Sequence, residues 1–407
     1  MSFDDIDPHE FVKHHGIIRR SLKKALPRDK EYYNCKTCDN TVTKQCNGCK
    51  SGVFYCSSVC QKKDWRNHKP NCGRRYKCVE VPDKGMGNVA TRLITKGEIV
   101  CVERPVLLMS QCDDTNTISV PDLWKLYTTK FKQLSEDQQK AVTNLSFKSI
   151  DRENSPNDKE FAKFLGILKE NLKNLSVFDV GKNGLFLDCS RFNHSCIPNS
   201  EVYYSEPYLR VLAVKDIKEG EEICFTYFGD TILGIKDLSD DAPPTIQAMK
   251  EDFKSHKAVP KFKCMCWLCT TNDKRKLQEI NEFRTKFWKL EKKFYQTKPP
   301  SQEYLQICRE LLEHINSGDT LHLSWTDFYA RKGSSAAILA KNTEQLKFFM
   351  EEYHKAVVIR RGEDCLSARV AKDYIKLANT GLLDSLGMPE VEDASFYKDV
   401  LKEMHHY

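Results

Sequence analysis

Apolar residues recur along this chain at two different periods. Over residues 202–204, 209–214 and 223–228 they are short, dense, β-branched or aromatic runs, punctuated by Gly, Pro, Asn and Glu. That pattern predicts short strands in small sheets. Elsewhere the period is helical. Phe161, Phe164, Leu165 and Leu168 fall on one helix face, and Ser135 with the polar residues after it reads as a helix start. Residues 273–407 read as helices throughout. There Leu346, Phe349, Met350, Tyr353 and Val357 form one apolar face behind a Thr343 cap. The mixture predicts an α+β fold. No strand–Gly-x-Gly-x-x-Gly–helix unit is present, which argues against a dinucleotide fold. No apolar run approaches the ~20 residues of a spanning helix.

One stretch has neither period. Between residues 33 and 74 cysteine replaces the apolar pattern. Cys35, Cys38, Cys46, Cys49, Cys56, Cys60, His68 and Cys72 have the spacing C-x2-C-x7-C-x2-C-x6-C-x3-C-x7-H-x3-C. Eight nitrogen and sulfur ligands supply two tetrahedral zinc sites. So short a segment cannot bury a core of its own, so it is expected to be a separate, metal-built module. Spacing alone does not decide which ligands share an ion, and a disulfide framework would use the same cysteines. Ser58 and Gln61 read as a capping box opening a helix through Trp65, ended by Pro70.

Composition narrows the class. The 407 residues are 40% hydrophobic and 30% charged, as in a multi-domain globular protein. Eighteen cysteines without a basic, apolar leader at Met1 predict a reducing compartment and metal ligation rather than secretion. The net charge is a modest +7. Arg19, Arg20, Lys23 and Lys24 form a basic leader, read as a solvated helix or an import signal. Lys62, Lys63, Arg66, Lys69, Arg74, Arg75 and Lys77 concentrate charge near the second zinc site. Such a face allows weak, nonspecific nucleic-acid contact or attraction of acidic protein surfaces.

Further along, Arg191, Phe192, Asn193, His194, Ser195, Cys196, Pro198 and Asn199 form one motif, and Gly220, Glu221, Glu222, Ile223, Cys224, Phe225, Thr226 and Tyr227 another. Lys84-Gly85-Met86-Gly87 precedes both, and Phe262, Cys264, Cys266 and Cys269 follow. Singly each is weak. In this order they resemble the SET methyltransferase domain. The cysteine string, with Tyr55, Gln61, Asp64 and Trp65, resembles the MYND finger. The combination is similar to the SMYD family of SET and MYND protein lysine methyltransferases. Here the finger comes ahead of SET, an order resembling the arthropod-type branch.

The resemblance implies residues 1–32 as a basic leader, 33–74 as MYND, and 76–110 and 176–232 as the SET halves. It implies a helical insert at 111–175, a linker and zinc-binding post-SET segment at 233–272, and a helical C-terminal domain at 273–407. In the SET β-fold it implies a pseudoknot at Asn193-His194. In the tail it implies tetratricopeptide-like packing, though no clean repeat is legible. It pairs Cys35, Cys38, Cys56 and Cys60 on one zinc and Cys46, Cys49, His68 and Cys72 on another. Cys264, Cys266 and Cys269 are one ligand short of a closed site; Cys196 completes them in the family, giving three zincs per chain. Cys78, Cys101, Cys112, Cys189, Cys224, Cys308 and Cys365 remain as buried small hydrophobes.

The implied reaction moves a methyl group from S-adenosylmethionine to a lysine of histone or non-histone proteins, in regulation of gene expression in nucleus and cytoplasm. Tyr227 takes the catalytic tyrosine position and borders the cofactor. Lys84, Gly85, Met86, Gly87, Asn174, Asn193, His194 and Phe262 match cofactor-contacting positions. Glu222 reads as a structural strand-end carboxylate. The implied partners are protein substrates and, through MYND, proline-containing peptides; a monomer with no membrane association is expected. Pro260 stands where active members carry a second channel tyrosine, so weak activity is expected. The alternative is an inactive SET scaffold serving as a MYND-mediated adaptor.

Overall fold

The computed structural model describes residues 33–38, 40–42, 45, 46, 48, 53–69, 72–110, 120–147, 158–175, 182–205, 208–227, 264–318, 320, 322–361, 363 and 366–381. The basic leader, Cys49, Cys112, Pro260, Phe262 and Cys365 lie outside these. The chain divides into two units. One comprises residues 30–234 and 250–272; the other comprises 1–29, 235–249 and 273–407.

In the first unit a short hairpin, β1 (Tyr33–Asn34) and β2 (Thr41–Val42), opens the cysteine-rich segment. The helix α1 (Ser58–His68) closes it. Its cap is Ser57, one residue before the expected Ser58: the Ser57 hydroxyl accepts from the Cys60 backbone N–H. Serine occurs at both positions, and only the extended backbone at Ser57 lets its oxygen turn back onto the helix.

Strands β3 (Tyr76–Val81) and β4 (Gly85–Ala90) form an antiparallel hairpin. β5 (Ile99–Glu103), β10 (Ser200–Ser205) and β11 (Tyr208–Ala213) form a sheet in the order β10-β11-β5. Every residue of the central β11 is buried, because the strand is covered on both faces. Leu209, Val211 and Ala213 point into the main core with Ile94, Phe192, Ile217, Ile223 and Phe225. Tyr208, with Val102 of β5, points the other way, into a second cluster with Val42, Phe54 and Tyr55 of the finger. The β11–β5 pairing skips Val100, so Val211 faces Cys101 while Leu212 faces Ile99. That bulge turns both Val100 and Cys101 toward the main core.

The finger is therefore not a separate module, contrary to the expectation from its length. Phe54 meets Tyr208 edge-on at 5.2 Å, and the Gln45 side-chain amide donates to the Val102 carbonyl at 3.1 Å. Zinc ligands need not be self-sufficient when a sheet face offers the missing core.

The insert is helical, as its periodicity predicts. α2 (Val120–Thr129), α3 (Glu136–Thr143) and α4 (Lys159–Asn171), with the turn at Phe131, bury Tyr127, Phe131, Phe161, Phe164, Leu165 and Leu168 against Leu107, Met109 and Leu185. Ser135 and Gln138 form a reciprocal capping box on α3. The covered sheet is β6 (Leu107–Ser110), β7 (Lys173–Asn174) and β8 (Lys182–Leu185), in the order β6-β8-β7. Three short segments complete this unit: β9 (Asn193–His194), β12 (Cys224–Phe225) and α5 (Trp267–Thr270).

The second unit is helical: α6 (Lys274–Gln296), α7 (Gln302–Asn316), α8 (Leu323–Leu339), α9 (Thr343–Arg361) and α10 (Leu366–Asn379). Each of these helices packs on the next in sequence. On α9, Leu346, Phe349, Met350 and Val357 are buried as the pattern requires. Its cap is Asn342 rather than Thr343, because the Asn342 side-chain oxygen accepts from the Gln345 N–H at 3.0 Å. No helix among the described residues is long and apolar enough to cross a membrane.

Candidate functional site

The two halves of the SET pattern meet through one parallel pairing. β9 lies beside β12, with Asn193 opposite Cys224 and His194 opposite Phe225. The Ser195 N–H donates to the Phe225 carbonyl at 3.1 Å. Asn199 locks the crossing with a buried side chain: its oxygen accepts from the Cys224 N–H, and its amide donates to the Glu222 carbonyl, both at 2.8 Å. An asparagine suits this place because its side-chain amide stands in for a missing strand neighbour. The same segment runs beside β4: Gly220 and Ile223 donate backbone hydrogen bonds to Ala90 and Asn88.

That pairing brings Glu222 against the glycine loop. Lys84 Nζ lies 2.5 Å from Glu222 Oε2, and Asn193 Nδ2 donates to Glu222 Oε1 at 2.8 Å. The Asn193 amide also reaches the Met86 carbonyl at 3.4 Å. Burial lowers the ammonium pKa of Lys84, but the Glu222 carboxylate outweighs it and holds the group above its ordinary value. Gly85 has a φ of +75°, which favours glycine. Gly87 is needed for space: a Cβ there would lie 2.7 Å from Asn193 Nδ2 and 2.9 Å from Glu222 Oε1. Glu222 is thus more than a strand-end carboxylate. It is the hub joining Lys84 and Asn193, a role that partners so far apart in sequence cannot announce.

Tyr227 follows β12. Its hydroxyl donates to the Phe192 carbonyl at 2.9 Å, and the residue as a whole is 40% exposed. Burial around the hydroxyl raises its pKa well above the ordinary tyrosine value, so it remains a neutral donor. The Tyr227 backbone N–H donates to His194 Nδ1 at 3.1 Å, while His194 Nε2 lies 3.3 Å from Cys196 Sγ. A neutral ring that accepts at Nδ1 carries its proton on Nε2, aimed at the sulfur. His194 therefore ties Tyr227 to Cys196, one of the four sulfurs gathered with Cys264, Cys266 and Cys269. Asn174, on β7, pairs with Asn183 of β8, and its side chain lies outside the described residues, as does Phe262.

The cysteines gather in sets. The sulfurs of Cys35, Cys38, Cys56 and Cys60 all lie within 4.8 Å of one another, as do those of Cys196, Cys264, Cys266 and Cys269. The ligand atoms of Cys46, His68 and Cys72 form a third set under the same limit. Individual separations are 3.5 Å for Cys38–Cys56, 3.8 Å for Cys46–Cys72 and 3.7 Å for Cys196–Cys269. A disulfide needs about 2.05 Å, whereas a tetrahedron of ~2.3 Å zinc–sulfur bonds has edges of about 3.8 Å. Donor type and spacing therefore fit tetrahedral zinc. The finger sets interleave along the sequence, an arrangement that spacing left open.

Three further findings alter the sequence reading. Arg75 of the basic patch is buried and paired with Glu98 at 2.5 Å, leaving Lys62, Lys63, Arg66, Lys69, Lys77 and Arg74, which lies 3.5 Å from Asp188, as the exposed part. Cys78 is exposed, whereas Cys101, Cys189, Cys224 and Cys308 are buried as expected. Glu103 passed unnoticed in the sequence. Its buried carboxylate accepts from the Leu187, Asp188 and Cys189 N–H groups at 2.8–2.9 Å, fixing the turn that leads into Phe192 and Asn193. A lone acid ending an apolar strand was the available signal.

Comparison with known proteins agrees with this geometry. A family model for the SET domain matches residues 85–228, and one for the MYND finger matches residues 35–72. The human histone-lysine N-methyltransferase SMYD3 is 26% identical over 241 residues, covering 56% of this chain and 49% of that protein. The histone-lysine N-methyltransferase set5 of Schizosaccharomyces pombe is 30% identical over 213 residues, covering 52% and 55%. The N-lysine methyltransferase SMYD2-B of Xenopus laevis is 27% identical over 312 residues, covering 69% and 65%. The chain spans about half the length of the first two of these relatives. The chain thus carries a MYND finger ahead of a SET domain, and it is similar to SET and MYND (SMYD) lysine methyltransferases.

Proposed function

We propose that this chain is a protein lysine N-methyltransferase that uses S-adenosylmethionine. The observation that carries the reading is the convergence of the glycine loop, Asn193 and Glu222 on one side of the β9–β12 crossing, with the Tyr227 hydroxyl on the Phe192 carbonyl beside it. S-adenosylmethionine, when bound, supplies an activated methyl group on a sulfonium. Lys84, Gly85, Met86, Gly87, Asn193 and His194 are the residues that would hold it, with Asn174 and Phe262 completing the set. Their chemistry fits: a zwitterionic amino-acid end needs an ammonium, a carboxylate, an amide and a backbone carbonyl, and Lys84, Glu222, Asn193 and Met86 present those four together.

Tyr227 would orient the acceptor amine through its neutral hydroxyl, and Phe225 and Tyr227 would form apolar walls that disfavour the ammonium form. His194 would position Tyr227 by accepting its backbone N–H. The three cysteine sets would each take one zinc, with Cys49 as the fourth ligand of the Cys46 set. The zinc at Cys196 would stabilise the crossing rather than join the chemistry, since four cysteines leave no open position. Protein lysines are the substrates, with action in nucleus and cytoplasm, and the finger's exposed basic face would receive partner peptides.

Calorimetry with S-adenosylmethionine tests the reading. Binding is expected in wild type, and Asn193→Ala is expected to weaken it by about tenfold or more, because a buried polar group loses its partner. Tyr227→Phe should keep the affinity and lower turnover by roughly a hundredfold, the loss expected for one positioned donor. Undetectable binding by folded, zinc-loaded protein would eliminate the methyltransferase.

A further inference from the structure

The proposed acceptor site already contains a lysine. Lys173 lies on β7, next to Asn174, and its Nζ stands 4.8 Å from the ring centroid of Tyr227 and 5.2 Å from that of Phe225. Strand lysines ordinarily extend to water or pair with a carboxylate. Lys173 is half-buried, and among the described residues no carboxylate pairs with it. Its ionisable neighbour is the buried thiol of Cys189, which burial pushes up to about 12 and so leaves uncharged. Loss of water lowers the amine's own pKa below the ordinary lysine value.

A methyl acceptor must meet the same conditions: an amine beside the tyrosine, flanked by aromatic walls, stripped of water and without a counter-ion. We propose that Lys173 is a methyl acceptor for its own chain, a modification site built into the acceptor pocket; this rests on the methyltransferase reading above. In the step, the ammonium first loses a proton to solvent. The neutral Nζ then attacks the methyl carbon of the sulfonium donor. The new N–C bond forms as the S–C bond breaks, the bonding pair stays on sulfur as a thioether, and the product is an N-methylammonium ion. Donor and acceptor lie in one molecule, so the rate is independent of protein concentration.

The test uses the full, zinc-loaded chain incubated with methyl-deuterated S-adenosylmethionine over a dilution series, with tandem mass spectrometry of its peptides. Label is expected on Lys173, with the labelled fraction at each time unchanged on dilution. Protein already methylated at Lys173 when purified from cells able to supply the donor also supports the proposal if Tyr227→Phe is isolated unmethylated. Lys173→Arg is expected to remove this label while keeping zinc content and donor affinity. A second readout needs no methyl donor. In the donor-free protein the pH dependence of acylation should place the Lys173 midpoint below the ordinary lysine value, and Phe225→Ala should move it back up.

Label on histones or on other lysines of the chain but not on Lys173, with donor binding intact, overturns this proposal and leaves the methyltransferase standing. Label on Lys173 whose rate falls with dilution also overturns it, since transfer is then between molecules. Absence of donor binding removes both readings.

Discussion

At the scale of single residues, the site depends on close approach. Gly87 leaves room for Asn193 and Glu222 that even a methyl group would take, with Val81 Cγ2 also 2.7 Å from where a Cβ would lie. Gly87→Ala is therefore expected to push Asn193 off Glu222 and weaken S-adenosylmethionine binding by about tenfold to a hundredfold. Circular dichroism should show unchanged secondary structure. Unchanged affinity in calorimetry would mean that Asn193 does not hold the ligand. Glycine-loop and Asn-His positions were legible because their spacing is local. Glu222 and Glu103 were not, since each acquires its partners from residues far away in sequence. The cap at Ser57 was missed by one residue for a smaller reason: two adjacent serines are equivalent until the backbone angles are known.

At the scale of elements, β11 and the finger share a core, so metal and sheet should fail together. Removing zinc with a chelator is expected to unfold residues 33–227 in one transition, seen by near-ultraviolet circular dichroism, instead of melting the finger alone. Cys46→Ala should likewise lower the melting temperature of the SET strands. Two separated transitions would show that the Phe54–Tyr208 packing carries little. Strand and helix periods announced most of these elements: the apolar face of α4, the start of α3 after Ser135 and the buried run of β11 all lie where the pattern puts them. What the pattern could not say is which apolar faces meet. Alternation gives β11 two faces, but one of them is covered by a segment read as self-sufficient.

At the scale of the whole molecule, the half-buried Glu98 and the buried Glu291 give the two units opposite responses to acid. Around Glu98 burial opposes ionisation, but Arg92, Arg75 and the Thr95 N–H prevail and hold its carboxyl down to about 2. Its folded value lies below the unfolded 4.5, so its stabilisation is present above that value and is lost as pH falls toward 2. Glu291 in the helical unit is the reverse. Burial pushes it up to about 7, against the opposing hydrogen bond from the Tyr329 hydroxyl. The folded helical unit then binds the extra proton, so Glu291 makes it less stable as pH rises from 4.5 through 7. Urea denaturation of wild type and Glu291→Gln across that range should show the difference between them changing steadily with pH. A constant difference would mean that Glu291 ionises freely in the folded chain.

The two-faced burial of β11 also bears on inheritance. A finger that folded wholly on its metal would be an interchangeable cassette, free to be lost, duplicated or exchanged among unrelated chains. Here Tyr208 and Val102 share one buried cluster with Val42, Phe54 and Tyr55. A transplanted finger lacking those side chains would bind its ions and still leave a sticky strip on the sheet. Substitutions on the two sides of that seam are constrained to change together. A chimera should recover solubility only when the finger and the Tyr208 face come from the same parent.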